Sequence, residues 1–397
     1  MSRILACWEL GLGNGHITYL ASAARGLAAL GHESWLAARD VVTPRVIADA
    51  PFARIVQAPV WLRSSVDSMT YSYGQAIADA GFADDDGLVE IVRAWLALFD
   101  LAAPAAICAE HAPAALLAAH VARLPAARLG TPFTCPPAIR PMQGIAPWLG
   151  AAPDGADAVP DRVIRAVCRH FGAPMLAGVA ELLATAAPFL TSWPELDSSQ
   201  PPRTDSIHYG PLSGIAAVAL PDWPAAPGPR IFVYLPFDRP MAPPLAAALG
   251  RRGWPVIWVC PTPPRFPLPG NIRHETEPVD IAAALRGATM LVSRGGHGVC
   301  LDAVRAGCPH LLMPDRVETR GHALQLAARG LGRLVPAWEA GPVGDCLDAM
   351  AMLDAPEHAA CAAAAAAHAY YDADAMTARL GRDLAAALGL AGATRSD

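Results

Sequence analysis

The feature that most constrains this chain is an alternation. Short apolar runs of strand length are separated by glycine-marked loops and by longer stretches with helical apolar spacing. RILACWEL (residues 3–10), GLGNG, HITYLASAARGLAAL, Gly31 and ESWLAA read in turn as strand, tight loop, helix, helix stop and second strand. AAICA (105–109) reads as a buried strand, and PAALLAAHVARL as the helix after it. A second series starts at RIFVYLP (230–236) and continues through PVIWVC (255–260), TMLVS (289–293) and HLLMP (310–314). Strands spaced by helices pair in parallel and are covered on both faces, so their residues are apolar throughout. The predicted class is therefore α/β, with two doubly wound, Rossmann-like domains.

A chain of 397 residues is long for one core and suits two. PDWPAAPGP (221–229) has the composition of a connector. The expected division is an N-terminal domain over 1–213, a linker over 214–229, a C-terminal domain over 230–375, and a final helix over 376–397 free to cross back to the first domain. In open parallel sheets ligands bind outside the carboxyl ends of the strands, which places the expected site in a cleft between the domains.

Composition removes several classes of function. The chain contains no lysine, so all 30 basic residues are arginine. A P-loop lysine, a pyridoxal Schiff base and every lysine nucleophile are thereby excluded. The net charge is −6 and the arginines are dispersed, which argues against nucleic acid as a partner. Nine cysteines form no CxxC pair, and reduced, buried thiols are expected. No apolar run reaches the length of a membrane span, and the chain enters its first strand without a targeting segment, so a cytoplasmic protein is expected.

Two loops carry the candidate chemistry. In Gly11-Leu12-Gly13-Asn14-Gly15-His16, a histidine stands where a dinucleotide fingerprint needs its third glycine, and Asp40 alone does not restore that reading. His16, at the junction of loop and helix, can accept a proton from a substrate hydroxyl if a second group fixes its tautomer. Glu110, beside His111 at the end of the AAICA strand, is the candidate for that second group. The alternative is a helix-capping histidine and a solvated acid. The second loop, SRGGHG (293–298), lets main-chain amides approach an anion at a helix start expected near Val299. Arg294 adds a planar cation suited to phosphate oxygens, His297 adds a further donor, and Asp302 can accept the hydroxyls of a ribose. The alternative is a glycine-rich turn with Asp302 neutralising the helix start. Asp84, Asp85 and Asp86 read as a solvated helix start. No HExxH or GxSxG pattern is present, and His32, His120, His170 and His358 read as ordinary.

Together the two loops resemble the inverting sugar-nucleotide glycosyltransferases of the GT-B fold, the UDP-glycosyltransferase and macrolide-glycosyltransferase group. GNGHITYLASAARGLAALGHE is similar to their N-terminal loop and helix, whose histidine is the catalytic base; that role falls on His16, with Gly13, Asn14 and Gly15 before it. Glu110 takes the place of the family's aspartate. SRGGHGVCLDAVRAGCP resembles their donor signature: Arg294 stands at the phosphate-binding histidine, Val299 at a small hydroxyl residue and Asp302 at the ribose-binding acid. Gly295, Gly296, His297 and Gly298 would line the diphosphate, while Glu318 and Thr319 fall on the acid–glutamine pair that reads the donor sugar. YGPL (209–212) precedes the linker much as in the family.

The resemblance implies two Rossmann-like domains facing each other across a cleft and transfer from a UDP- or dTDP-sugar to a small-molecule acceptor, expected to be a natural product. The nucleotide sugar would be a co-substrate, with no cofactor and no metal required, and the protein is expected as a monomer or homodimer. Aromatic residues in 60–74 and in TPFTCPP to Trp148 are the candidates for acceptor contacts. A sugar-nucleotide epimerase of the same architecture and a non-catalytic sugar-nucleotide binder are the alternatives.

Overall fold

The computed structural model describes residues 1–11, 13–42, 44, 51–62, 70–199, 203–212, 221–352 and 354–390. Leu12 of the first loop, residues 63–69 of the expected acceptor segment, 214–220 of the expected linker and 391–397 lie outside the described residues.

The strands and helices follow in this order: β1 Arg3–Trp8, α1 Gly15–Ala28, β2 Glu33–Ala38, β3 Arg54–Gln57, α2 Tyr73–Ile77, α3 Asp85–Ala102, β4 Ala106–Glu110, α4 Pro113–Ala122, β5 Ala126–Gly130, α5 Ala158–Phe171, α6 Val179–Ala184 and β6 Ala187–Leu190. They continue with β7 Ile231–Tyr234, α7 Ala242–Arg252, β8 Val256–Val259, β9 Ile272–Glu275, α8 Ile281–Gly287, β10 Met290–Ser293, α9 His297–Ala306, β11 His310–Leu312, α10 Val317–Ala328, β12 Gly332–Leu334, α11 Ala340–Ala351, α12 Pro356–Ala367 and α13 Ala373–Ala387. The chain divides into two compact units, one of residues 1–215 with 372–397 and one of residues 216–371.

In the first unit six parallel strands run in the order β3-β2-β1-β4-β5-β6. Successive side chains of a strand point to opposite faces. Leu5 and Cys7 of β1 therefore join Trp35, Ala37, Ile107 and Ala109 against α3, α4 and α5. Ile4, Ala6 and Trp8 join Leu36, Ala38, Ala106 and Cys108 on the other face, where α1 and α13 cover them. Leu380 and Leu384 of α13 are fully buried in that layer, and Asp383 accepts a hydrogen bond from the Tyr209 hydroxyl at 2.7 Å. Burying each such leucine contributes on the order of 2 kcal/mol, so α13 is an integral wall of this unit.

The second unit repeats the plan, in the order β12-β11-β10-β7-β8-β9. Ile231, Val233, Val256, Trp258, Met290 and Val292 face α7 and α11; Phe232, Ile257, Val259 and Leu291 face α8 and α9. Each sheet thus has its first strand beside its fourth, and chain order reverses there. Helices leave opposite faces of the sheet at such a point, and the loops beyond the two strands part to leave a crevice. By that rule a ligand is expected at the carboxyl ends of β1 and β4 in the first unit, and of β7 and β10 in the second. All nine cysteines are buried and unpaired. Among the described residues no helix is long and apolar enough to cross a membrane.

Candidate active site

The pairing of β1 with β4 sets Trp8 opposite Glu110, and Leu10 N–H donates to His111 O at 2.9 Å just beyond. The loops after the two strands are thereby tied together at the reversal point. His16, in the first turn of α1, is carried back over this edge, and its Nδ1 lies 2.5 Å from Glu110 Oε2. Glu110 is wholly buried, and its second oxygen accepts from the Thr134 hydroxyl at 3.1 Å. A carboxylate can only accept, so the imidazole carries its proton on Nδ1 and keeps its basic lone pair on Nε2. The His16 ring stacks on Trp8 at 5.5 Å, which fixes its plane. Gly11 has φ +83°, and a Cβ there would collide with His16 Nε2. Glycine is required at that position both for the turn and for the ring behind it. The reading of Glu110 as a solvated acid does not hold.

His111 also adopts a left-handed conformation, φ +44°, and its ring lies 6.0 Å from His16 and 6.1 Å from Tyr73. Burial, reinforced by the neighbouring His16, pushes its pKa down to about 3, so it is neutral. Glu9 closes the other side of the edge. It is fully buried, and Oε2 accepts from the main-chain N–H groups of Ala114 and Ala115 at the start of α4. Burial outweighs those two bonds and lifts the Glu9 pKa to about 8.

In the second unit β10 ends at Ser293, and the chain turns through Gly295, φ +84°, into α9. A Cβ on Gly295 would meet Thr319 O at 3.0 Å. Both polar groups of the Gly295 peptide are held inside the protein: its N–H donates to Ser293 Oγ at 2.9 Å, and its carbonyl accepts from His322 Nδ1 at 3.0 Å. Ser293 is itself 2.7 Å from His310 Nε2. With this loop clamped, α9 opens at Gly296 without a side-chain cap, and its first-turn amides from His297 to Val299 have no acceptor within the helix. Arg294 flanks them, with NH1 3.6 Å from Asp315 Oδ1. Asp302 is in the second turn, where burial chiefly, and Asp280 in lesser part, raise its pKa to about 6 against the opposing Arg305. It is ionised at neutral pH and can accept hydroxyl protons. The arrangement offers amides and a guanidinium for an anion, with a carboxylate about one helical turn beyond.

No protein-family model and no curated protein matches the sequence. Solved structures do resemble it along almost their entire length. The calicheamicin glycosyltransferase CalG4 superposes with a TM-score of 0.71 at 19% identity, covering 98% of each chain. The spinosyn rhamnosyltransferase SpnG complexed with thymidine diphosphate gives 0.69 at 20% identity, over 96% of this chain and 99% of its own. The glycosyltransferase SnogD from Streptomyces nogalater gives 0.64 at 20%, over 97% and 99%. The chain has the GT-B glycosyltransferase fold.

On that fold several expected donor residues change their role. The amide of Gly295 is spent on Ser293, so the amides without an acceptor inside α9 are those of residues 297–299. Helix α9 begins at His297, two residues before the expected start, because Gly296 already has the extended conformation of a helix-capping residue. The His297 side chain points inward against His322, at 5.2 Å between ring centres, and burial drives its pKa far down. It adds its main-chain N–H to the loop and no positive charge. Thr319 is 4% exposed, and its hydroxyl accepts from Arg316 N–H at 3.1 Å while donating to Arg316 O at 3.0 Å. That hydroxyl serves the start of α10 and is not presented to a sugar; Glu318, its neighbour, is half-buried. In the first unit Gly13, φ +107°, and Asn14 form the turn, and Gly15 opens α1.

Asp40 accepts from Val42 N–H in a local turn, and Asp84 caps α3 while Asp85 pairs with Arg162. Glu9, Asp315, Arg239 and His322 were not singled out from the sequence. Three of the four follow the apolar core of a strand within a few residues, and a charge in that position is the signal that marks them.

Proposed function

We propose that the protein is an inverting glycosyltransferase that moves a sugar from a nucleoside diphosphate sugar to a hydroxyl of a small-molecule acceptor, a natural product. The observation that carries this reading is the buried Glu110 fixing the Nδ1–H tautomer of His16 at the strand-order reversal of a GT-B unit. His16 Nε2 takes the proton of the acceptor hydroxyl. The hydroxyl oxygen bonds to the anomeric carbon as the bond from that carbon to the diphosphate oxygen breaks, and the electron pair leaves with the nucleoside diphosphate. Attack opposite the leaving group inverts the configuration. The imidazolium formed on His16 is stabilised by the Glu110 carboxylate. Charge growing on the diphosphate is met by the amides of residues 297–299, the positive end of α9 and Arg294. Asp302 accepts the ribose hydroxyls, and Glu318 contacts the sugar.

A dTDP-linked donor is favoured over a UDP-linked one, because the SpnG structure and that of the similar glycosyltransferase VinC hold thymidine diphosphate. Binding and turnover of His16→Ala and Asp302→Ala test the reading. The first is expected to keep dTDP binding and lose transfer, and the second to weaken dTDP binding. Full transfer activity in His16→Ala would remove the assigned base.

A further inference from the structure

The crevice of the second unit has two walls, and they are not equivalent. On the β10 wall, α9 presents amides to an anion. On the β7 wall, α7 starts at Ala242, and Pro243 and Pro244 occupy the positions where helix-start amides would otherwise point outward. Proline has no N–H, and Ala242 N–H is spent on Arg239 O at 3.0 Å. The start of α7 therefore offers an anion no main-chain donor from residues 242–244. The loop leading into α7 instead carries Arg239, and its Nε lies 3.4 Å from Asp315 Oδ2. The other oxygen of the same carboxylate faces Arg294 NH1 at 3.6 Å. A single carboxylate from the loop after β11 therefore spans guanidinium groups from both walls.

The character of that link matters. The Asp315 side chain is 8% exposed; among the described residues neither of its oxygens has a hydrogen-bond partner, and Arg239 Nε is likewise buried without one. Asp238 Oδ1, at 3.4 Å from Arg239 Nε, is the other charge near it. A buried carboxylate usually takes short, aligned bonds from its arginines, because an unsatisfied charged group in the interior costs several kcal/mol. Here two guanidiniums are drawn toward Asp315 without being locked in a bidentate fork, and each side chain keeps 29% of its surface open. Their N–H donors remain available to a third party. The Asp238 side chain is 66% exposed and its charge is screened by solvent, so the two guanidiniums around the buried Asp315 present a local positive potential beside the amides of α9, which suits an anion.

Building on the proposed donor site, we infer that Arg239 is a second phosphate-binding guanidinium, gripping the donor diphosphate from the β7 side while Arg294 and α9 hold it from the β10 side. Asp315 is the positioning residue that keeps the two cations from separating when no anion is bound. The β7 wall thus compensates with a side chain for the amides its prolines lack.

Calorimetric titration of the full chain with dTDP, UDP and the phosphate-free nucleosides thymidine and uridine tests this. Arg239→Ala is expected to raise the Kd for the nucleoside diphosphate bound by the wild type about tenfold or more, the scale of a lost charged hydrogen bond. Nucleoside affinity should not change, and Arg239→Lys should recover part of the loss while Arg239→Gln does not. The dependence of log Kd on log salt should become shallower in Arg239→Ala. Unchanged dTDP or UDP affinity in Arg239→Ala, or an equal loss for the nucleosides, would overturn the assignment. Arg294→Ala in the same titrations separates the two levels. If it weakens diphosphate binding and Arg239→Ala does not, Arg239 alone is misassigned; if the wild type binds neither diphosphate, the donor site itself falls and the role of Arg239 falls with it.

Discussion

Replacing Glu110 with glutamine isolates the charge of the proposed base pair from its geometry. Glutamine can turn its carbonyl oxygen to the His16 Nδ1–H and let its amide N–H donate to Thr134 Oγ1, so the imidazole should stay in place. What is lost is the carboxylate opposite an imidazole that becomes positively charged as the acceptor is deprotonated. The contact atoms are 2.5 Å apart, and Glu110 is wholly buried. For charge centres roughly 4 Å apart at an effective dielectric of about 20, the attraction is about 4 kcal/mol. Removing it should slow kcat by about a thousandfold, since each 1.4 kcal/mol or so is a factor of ten. In the proposed arrangement residues of the second unit hold the donor, so dTDP affinity should hold. The assay is steady-state transfer from a dTDP-sugar, with dTDP binding measured in parallel, on Glu110→Gln, His16→Ala and the double variant. The double variant should be no slower than His16→Ala, because the carboxylate acts only through the imidazole. A Glu110→Gln enzyme within a few-fold of wild type would refute the electrostatic role, and a further loss in the double variant would show that Glu110 acts by another route.

Further expectations follow from the other buried groups. Glu9, raised from an ordinary 4.5 to about 8, binds a proton in the folded state that the unfolded chain releases, so its contribution falls as pH rises from about 4.5 to 8. Glu9→Gln, a mimic of the protonated acid, should gain on wild type by about 1.4 kcal/mol per pH unit across that window in urea unfolding; a pH-independent difference would contradict the shift. Asp302, raised to about 6, gives two opposite trends: between roughly pH 4 and 6 unliganded stability falls as pH rises, while dTDP affinity should increase as the acid ionises. Calorimetry at pH 5 and 7.5 on wild type and Asp302→Asn checks the second, and the variant should lose the pH dependence. Gly11→Ala should abolish transfer while leaving dTDP binding intact, because its methyl group displaces the His16 ring. Tyr209→Phe removes the bond to Asp383 on α13 and should cost about 1 kcal/mol in unfolding of the first unit.

The apolar strands at the centres of both sheets were legible from the sequence, because a strand buried on both faces is apolar at every position. The edge strands β3, β6, β9 and β12 were not, nor was β5, whose apolar run is broken by the buried Arg128. RIVQ is at best half-buried and IRHE alternates little, so neither carries a period strong enough to separate it from a loop. His16 and Glu110 could be named from the sequence as the polar residues where strand-like runs end. Their approach across 94 positions is a matter of register, since only the pairing of Trp8 with Glu110 brings the two loops together. The same distinction explains His297 and Thr319. Their residue types suit a binding loop, but a helix begun two residues early turns the imidazole inward, and the Arg316 main chain takes up the hydroxyl.

Sequence by itself determined the α/β class, the repeated strand–loop–helix plan and the residue types gathered at two loops, because these depend on local period and on glycine. Tertiary structure alone decided which polar groups remain available. Burial sets the protonation of Glu9, His111 and Asp302, and the Ser293 hydroxyl and His322 of α10 occupy the Gly295 peptide. A buried carboxylate draws Arg239 and Arg294 together, a meeting that local pattern does not set, because Coulomb forces and desolvation act through space and not along the chain.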